Sequence, residues 1–110
     1  MASFNDVLGL VPGDAPDSVV LDATPEHEIA PGTVHFAVLA TLAEVSAARV
    51  VAAPVVPAQV SLNLLSRAAT GRLVGKGRLI RRGRTLSVAE GEVFQGEKLV
   101  ARATVTFAMV

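Results

Sequence analysis

The sequence contains no cysteine, tryptophan or tyrosine, and only 4% of its residues are aromatic. Without cysteine, the chain has no disulfide framework, no thiolate metal site and no cysteine nucleophile. Because base stacking needs aromatic side chains, their scarcity argues against a protein that binds nucleic acid. Apolar residues nevertheless fill 51% of the 110 positions, so the core must be packed mainly from Val, Leu and Ala.

Long uncharged segments are also missing. Every stretch of 18 residues contains a charged residue or a proline, so we expect no membrane span. The start of the chain, MASFNDVLGLVPGD, lacks the basic residues and the long apolar run of a secretory signal. These absences predict a cytoplasmic protein that has no membrane partner.

The length of the chain predicts one domain over residues 1–110. Within it, the segment 1–17 contains Pro12, Gly13 and Pro16. Because these residues favour turns, we expect a turn-rich and partly mobile lead-in there.

The net charge is zero, but the charges are unevenly distributed. Residues 1–60 carry seven acidic residues against Arg49 alone, and residues 61–110 carry nine basic residues against three acidic ones. Two explanations stay open. Either the halves attract each other across the fold, or the basic half meets an anionic ligand.

The apolar pattern predicts a strand, a long helix and then four further strands. The helix is expected from Thr33, as its N-cap, to Val51, because this stretch contains neither Gly nor Pro. Residues 24–33 are expected to form a loop, and Pro54 ends the helix. The strands are expected at 18–24, 58–68, 72–80, 85–94 and 99–110.

Short turns between the later strands indicate antiparallel neighbours. Their sheet needs a cover for its apolar face, and the helix at 33–51 is the long apolar helix available for it. We therefore predict an α+β fold in which one long central helix is wrapped by a curved antiparallel sheet of about five strands.

Glu44 is the one acidic residue in this apolar helix. It is either solvated on a wet face of the helix, paired with Arg49, or kept for a function with its pKa raised by apolar surroundings. Small residues flank it at helical spacing, among them Ala37, Ala40 and Thr41. We favour the functional interpretation, because buried unpaired acids are rare outside functional sites.

Two histidines precede the helix or begin it. His35 lies about 180° around the helix from Glu44, so we expect no contact between the two within one chain. It is either a helix-start residue whose ring bonds to the backbone, or a catalytic or ligand-binding group. His27 and Glu28 have no further ligand at a suitable spacing, so we expect no metal site.

The segment HEIAPGTVHFAVLATLAEVSAA resembles a motif of the hotdog-fold thioesterases, in particular the PaaI-like acyl-CoA thioesterase group. Their pattern is an Asn, a Gly three residues later, then His-Gly-Gly, and an acid nine residues after that His. Gly32, His35 and Glu44 stand at those spacings. The region from residue 66, SRAATGRLVGKGRLIRRGRTLSVAEGEVFQGEKLVARATVTFAMV, is similar to the family's strands. The resemblance covers about 18–110, with Ile29 replacing the Asn and Phe36-Ala37 replacing the Gly-Gly pair.

The resemblance implies hydrolysis of an acyl-CoA thioester with a small acyl or aromatic group. It implies Glu44 as general base or nucleophile, and Ala37 N–H, beside His35, as an oxyanion donor. In the family these parts come from two protomers, so it also implies a homodimer, and a dimer of dimers by family habit. It implies no cofactor, since coenzyme A is part of the substrate.

Further candidates for substrate contact are spread along the chain. The arginines of the RRGR hairpin either are solvated or grip coenzyme A phosphates, as Arg67 and Arg72 also could. The polar residues that follow the helix either reach the neighbouring site or form the polar side of the sheet. The candidates are Gly32, Phe36, Thr41, Ser61, Asn63, Arg81, Arg82 and Arg84.

Ile29 keeps a second class of function open. An aliphatic side chain at the position of the family's Asn cannot hydrogen-bond a thioester carbonyl or hold a water molecule. The alternative is therefore a non-catalytic hotdog domain that binds an acyl or aromatic ligand, or that only oligomerises.

Overall fold

The computed structural model describes residues 3–110; Met1 and Ala2, the first residues of the predicted lead-in, lie outside this range. Within this range the chain forms two α-helices and eight strands. The helices are α1 (Phe4–Leu8) and α2 (Phe36–Val51), and a 3-10 turn spans Pro25–His27. The strands are β1 (Val11–Pro12), β2 (Ser18–Ala23), β3 (Glu28–Ala30), β4 (Thr33–Val34), β5 (Val55–Leu64), β6 (Gly71–Arg81), β7 (Leu86–Gln95) and β8 (Lys98–Met109).

Six of the strands form one antiparallel sheet in the order β1-β2-β6-β7-β8-β5, and β3 pairs with β4 as a separate hairpin. Helix α2 packs on one face of the large sheet and contacts β2, β5, β6, β7 and β8. The predicted α+β arrangement of one long helix on an antiparallel sheet is confirmed. The strand β5, which follows the helix, ends up at one edge.

Close contact between α2 and the sheet depends on glycine. A side chain at Gly91 would collide with the Ala43 carbonyl oxygen, and one at Gly77 would collide with that of Ser46. Since both glycines lie in the middle of the sheet, the helix backbone rests directly on the strands. The core between them is built from aliphatic side chains and Phe107, which is fully buried.

The face of the sheet opposite α2 is polar and carries the ion pairs. Arg78 lies 3.3 Å from Glu90, and Arg102 lies 2.9 Å from Glu92 and 4.0 Å from Glu90. All four residues belong to the basic half of the sequence. Within residues 3–110, no ion pair joins the two halves, so attraction between them through paired side chains is not observed.

The predicted start of the long helix is wrong by two residues. His35, not Thr33, is the N-cap, and Thr33–Val34 form β4. The reason lies in distant hydrogen bonds. Val34 N–H donates to the Ala68 carbonyl at 2.8 Å, and His35 N–H donates to the His27 carbonyl at 2.8 Å. These partners hold the segment extended until residue 36.

The end of α2 is fixed by two features. Ala52 adopts a left-handed conformation with φ 57° and ψ 41°, which turns the chain out of the helix. Arg82, from the β6–β7 hairpin, donates a hydrogen bond to the Val51 carbonyl oxygen. A cation at a helix C-terminus also interacts favourably with the helix dipole.

Two segments contain more regular structure than the sequence pattern predicts. The lead-in forms α1, capped by Ser3, and β1, which pairs with β2. The expected loop at 24–33 contains the β3–β4 hairpin, whose turn has Pro31 and then Gly32 with φ 80°. A positive φ at the third turn residue requires glycine or a similar residue.

No helix of the described chain has the length and apolar character needed to cross a membrane.

Candidate functional site

Glu44 lies on the face of α2 that points away from the sheet. Leu42 and Ser46, on either side of it in sequence, are fully buried against the strands, whereas Glu44 is half-buried. The residues that share its face are small: Ala37, Ala40, Thr41 and Ala48. The carboxyl group therefore stands above a shallow surface that other large side chains of the helix do not fill.

The Glu44 carboxylate has no ion-pair partner among residues 3–110. The predicted alternative, a pair with Arg49, is not formed, because Arg49 Nε donates to the Pro16 carbonyl at 2.9 Å. Burial raises the pKa of Glu44 above its usual value of 4.5. A carboxylate with a raised pKa and no partner is suited to accept a proton or to attack a substrate.

A cavity of about 460 Å³ lies at the N-terminal end of α2. Four of its lining residues are large hydrophobic side chains with an exposed fraction of half or more: Ile29 at 60%, and Phe36, Leu64 and Leu65 at 52% each. The other lining residues are Thr33, Val34, Leu39, Ser66, Arg67 and Ala68. A concave, mainly apolar site of this volume is typical of small-ligand pockets.

The far wall of this cavity is the segment that follows β5. Two hydrogen bonds join the side-chain amide of Gln95 to the backbone of this segment. Ala69 N–H donates to Gln95 Oε1 at 3.0 Å, and Gln95 Nε2 donates to the Ala69 carbonyl at 2.7 Å. Lys98 Nζ donates to the Arg67 carbonyl at 3.4 Å. These bonds fix the wall against β7 and β8 rather than leaving it as a free loop.

The first N–H groups of α2 point toward the same region and differ in their partners. Val38 N–H donates to the His35 carbonyl, and Ala37 N–H donates to His35 Nδ1, both at 3.0 Å. For the Phe36 N–H, the described chain offers no acceptor within hydrogen-bonding distance. The expected oxyanion donor, Ala37 N–H, is therefore already engaged, and the neighbouring Phe36 N–H is the free one.

His35 occupies the structural role that was one of its two predicted alternatives. Its ring caps the helix through Nδ1, and it stacks on the Phe36 ring with 4.8 Å between centroids. It begins the helix nine residues before Glu44, which corresponds to about 13 Å along the axis. The two side chains do not meet within one chain.

Within one protomer, Glu44 is also distant from the apolar cavity. Glu44 follows Phe36 by eight residues, or about 12 Å of helix. It is not a lining residue of the cavity. The carboxylate and the helix N-terminus therefore do not adjoin each other within one chain.

Two predicted contact residues have local structural roles. Gly32 N–H donates to Glu28 Oε2 at 2.9 Å within the β3–β4 turn, and Gly32 does not line the cavity. Thr41 donates its hydroxyl to the Ala37 carbonyl at 2.8 Å and lies on the same helix face as Glu44. Only Thr41 stays close to the carboxylate.

The structure does not bring Ser61 and Asn63 to the site. They pair with Thr104 and Arg102 of β8, whose side chains project from the polar face of the sheet. Glu44 and α2 lie on the other face. Ser61 and Asn63 therefore form part of the polar side of the sheet, which was one of their two predicted alternatives. Their contact with substrate at the neighbouring site stays a prediction.

The hairpin arginines divide into two groups. Arg82 is bound to the Val51 carbonyl, so its predicted contact with phosphate competes with a structural hydrogen bond. Arg81 and Arg84 line a second cavity of about 300 Å³, together with the hydroxyl-bearing Thr85 and Thr106. Val88 and Thr106 pair with each other and project from the polar face of the sheet, so this second cavity lies on the side of the sheet opposite α2.

Sequence reasoning missed the part of the apolar cavity that comes from β5 and the segment after it. Leu64 and Leu65 were assigned to a strand without a site, although two adjacent leucines break its alternation. His27, by contrast, is held structurally: Nδ1 accepts from Thr24 N–H at 3.0 Å and Nε2 lies 2.9 Å from the Leu8 carbonyl oxygen.

Comparison with solved structures gives close matches over the full chain. Conserved protein PA5202 from Pseudomonas aeruginosa has a TM-score of 0.90 and 26% identity, covering 100% of this chain and 95% of that protein. A phenylacetic acid degradation-related protein from Ralstonia eutropha has a TM-score of 0.88 and 28% identity, covering 99% and 91%. A mutant of the phenylacetic acid degradation protein PaaI from Thermus thermophilus has a TM-score of 0.87 and 25% identity, covering 97% and 98%.

A search of curated proteins finds no match. The family model described as the acyl-CoA thioesterase N-terminal domain matches residues 24–108. This range contains α2, Glu44, every residue of the apolar cavity and four strands of the large sheet, β5, β6, β7 and β8, apart from Met109 at the end of β8. The chain therefore belongs to the acyl-CoA thioesterase N-terminal domain family and has the hotdog fold of the PaaI-like thioesterases.

Proposed function

We propose that this protein hydrolyses acyl-CoA thioesters, with Glu44 as general base or nucleophile. The observation that carries this proposal is the half-buried Glu44 carboxylate, which lacks an ion-pair partner in the described chain and has a raised pKa. Membership of the thioesterase family supports the reaction type. As a base, Glu44 removes a proton from a water that adds to the thioester carbonyl, and the C–S bond breaks to release the coenzyme A thiolate, which takes up the proton. As a nucleophile, Glu44 attacks the carbonyl and expels the same thiolate to form an anhydride, which water then cleaves to the free acid and the Glu44 carboxylate.

The oxyanion that forms on the thioester carbonyl needs hydrogen-bond donors. The Phe36 N–H supplies one, at the positive end of the 16-residue helix α2. The Ala37 N–H becomes a second donor when the His35 ring moves off it. Neither residue needs a special side chain for this role, because the donors belong to the backbone.

The carboxylate and the donors come together in a homodimer. Strand β5 is an open edge of 10 residues, VVPAQVSLNL, without a charged residue, and it is exposed along most of its length. Natural edge strands usually carry charges or are short, as β1 is with two residues at the opposite edge. We infer that β5 pairs with the β5 of a second copy, which also sets the two α2 helices antiparallel.

Antiparallel helices bring the C-terminal end of one α2 near the N-terminal end of its partner. The β6–β7 hairpin contacts the C-terminal end of α2 through Arg82, and we expect it to bring Arg81 and Arg84 toward the partner's apolar cavity. Their guanidinium groups suit the phosphates of coenzyme A. Arg67 lines the cavity from the same protomer and offers a further charge there.

The test is thiol release from a panel of acyl-CoAs by wild type and by Glu44→Gln. Glutamine keeps the size of the side chain but cannot act as base or nucleophile, so we expect kcat to fall by roughly 100-fold or more. Unchanged secondary structure in the variant serves as the control. A wild type that releases no thiol, or a Glu44→Gln protein with the wild-type rate, would contradict the proposal.

Ile29 favours a second candidate, an acyl-binding domain without catalysis. Its side chain lines the cavity where the family places an Asn, and it supplies no hydrogen bond to a carbonyl or a water. The two candidates differ in one outcome: a binding domain would be stabilised by acyl-CoA in thermal unfolding, but it would release no thiol.

A further inference from the structure

We propose that Ile29 and Phe36 select acyl groups that carry no polar substituent close to the thioester carbonyl. This inference rests on the proposed function, because it concerns which acyl group enters the same site. It concerns two positions at which this chain departs from the motif it resembles. Both side chains line the apolar cavity and remain largely exposed, at 60% and 52%.

Phe36 connects the donor to the cavity. Its N–H is the free donor at the start of α2, and its ring belongs to the cavity wall. A carbonyl oxygen held by that N–H therefore leaves the first carbon atoms of the acyl group close to the ring. Stacking on His35, with ring planes 28° apart, keeps the Phe36 ring from turning away freely.

Ile29 extends this apolar wall. It stands in β3, next to the hairpin turn, and presents only methyl and methylene groups to the cavity. A hydroxyl group on the second or third acyl carbon would lose its hydrogen bonds to water there and gain none from these two residues. Burying an unpaired hydroxyl is costly, so the site favours the unsubstituted acyl group.

Three polar residues also line the cavity. Ser66 and Arg67 belong to the segment after β5, whereas Ile29 belongs to β3. Thr33 is half-buried in β4, the hairpin partner of β3, so it is the polar lining residue on the Ile29 side of the cavity. The side chains of Ile29 and Phe36 offer no hydrogen bond, so the discrimination is expected near the carbonyl, where the Thr33 hydroxyl is the one polar side-chain group of this hairpin in the lining.

The occupant that fits these features is the acyl group and not a protein segment. The site is concave, has a volume of about 460 Å³ and borders a free N–H at a helix N-terminus. Each of these features suits a small molecule with one carbonyl oxygen. An interface between copies is an outcome of the experiment below and would show as a cavity without acyl preference.

The experiment compares hexanoyl-CoA with 3-hydroxyhexanoyl-CoA, which differ by one hydroxyl on the third carbon. For wild type we expect kcat/KM to favour hexanoyl-CoA by about 100-fold, the scale on which apolar pockets discriminate. In Ile29→Asn, the side-chain amide can hydrogen-bond the hydroxyl of 3-hydroxyhexanoyl-CoA. We therefore expect the ratio of the two kcat/KM values to fall by about 10-fold relative to wild type. Asn is tolerated at this site because the side chain is largely exposed.

Val11→Asn is the matched control, since Val11 is a β-branched strand residue with 52% exposure outside the cavity. It should keep the wild-type preference. Equal kcat/KM values for the two substrates in wild type would overturn the inference. So would a ratio of kcat/KM values that stays at the wild-type level in Ile29→Asn, or one that falls equally in Val11→Asn.

A second readout separates this inference from the proposed reaction. Calorimetric Kd values for the two acyl-CoAs, measured in Glu44→Gln to prevent turnover, should show the same preference and the same narrowing by Ile29→Asn. If wild type hydrolyses neither substrate but the Kd ratios behave as expected, the proposed hydrolysis fails and the selection stands. If the Kd values are equal, or neither compound binds, the selection fails.

Discussion

At the scale of the residue, Glu44 occupies a position that is unfavourable for a charged group, and we propose a catalytic role for it. Its side chain is half-buried, no cation pairs with it in the described chain, and Arg49 is engaged elsewhere. Such an arrangement lowers stability unless something is gained from the carboxyl group. Functional sites are where shifted pKa values of this kind concentrate.

The cost of this position predicts how stability depends on pH. Burial raises the pKa of Glu44 above 4.5, so between pH 4.5 and the raised pKa the folded state keeps a proton that the unfolded state has lost. The free energy of unfolding therefore falls as pH rises through this window. Glu44→Gln removes the effect, and we expect its unfolding free energy to exceed that of wild type at pH 7, with a smaller difference at pH 4.

Chemical denaturation of both proteins at the two pH values measures this difference. A Glu44→Gln protein that is less stable than wild type at pH 7 would mean that the carboxylate has a stabilising partner. A gain of stability together with the loss of hydrolysis would show that the residue is kept for its function.

At the scale of the element, both ends of α2 are fixed by contacts that cannot be predicted from the sequence of the helix alone. Its start depends on the His35 ring, and its end depends on Arg82 and on a left-handed alanine. Alanine in this conformation is strained, since its Cβ approaches the following carbonyl oxygen.

The strain predicts a stabilising substitution. Ala52 is exposed, with φ 57° and ψ 41°, so Ala52→Gly should raise the free energy of unfolding by about 1 kcal/mol. Ala48→Gly, inside the same helix, is the control and should lower it by about 1 kcal/mol. Urea titrations measure the free energy of unfolding of both variants. A loss of stability in Ala52→Gly would mean that the left-handed conformation does not strain the alanine.

The apolar pattern of the sequence was sufficient to predict β6, β7 and β8, and the run without Gly or Pro was sufficient to predict that α2 exists and where it ends. Long-range contacts limited the rest. The start of α2 depends on bonds from Val34 and His35 to distant carbonyls, which no local pattern contains. In β5, a bulge between Pro57 and Gln59 shifts every later side chain to the other face, and this places Ser61 and Asn63 away from Glu44.

The parts of the candidate site that depend on residues close in sequence could be predicted, and the parts that depend on packing between distant segments could not. Glu44 stands out within its own helix, and the spacing from His35 was visible in the motif. The cavity wall formed by Leu64, Leu65 and Ser66 depends on where β5 ends relative to α2, which is a property of the packed sheet. The use of Ala37 N–H by the His35 ring depends on one side-chain orientation.

At the scale of the whole molecule, each protomer presents separate parts of the proposed site. One end of α2 carries the cavity and the free N–H, its middle carries Glu44, and its other end is bound by Arg82 of the β6–β7 hairpin. The uncharged edge strand β5 lies beside them and is the surface through which we expect the second copy to dock. A homodimer would supply each site with groups from both chains.

The most direct measurement of this account is the activity of mixed dimers of Glu44→Gln and Phe36→Pro. Proline at the first helical position keeps the helix but removes the Phe36 N–H, and Phe36→Ala, which keeps it, is the control. Each variant alone should be nearly inactive. After unfolding and refolding together in equal amounts, about a quarter of the wild-type rate should return, because half of the dimers are mixed and each has one intact site. Mixed dimers that form, as mass spectrometry can verify, but stay inactive would contradict a site shared between protomers.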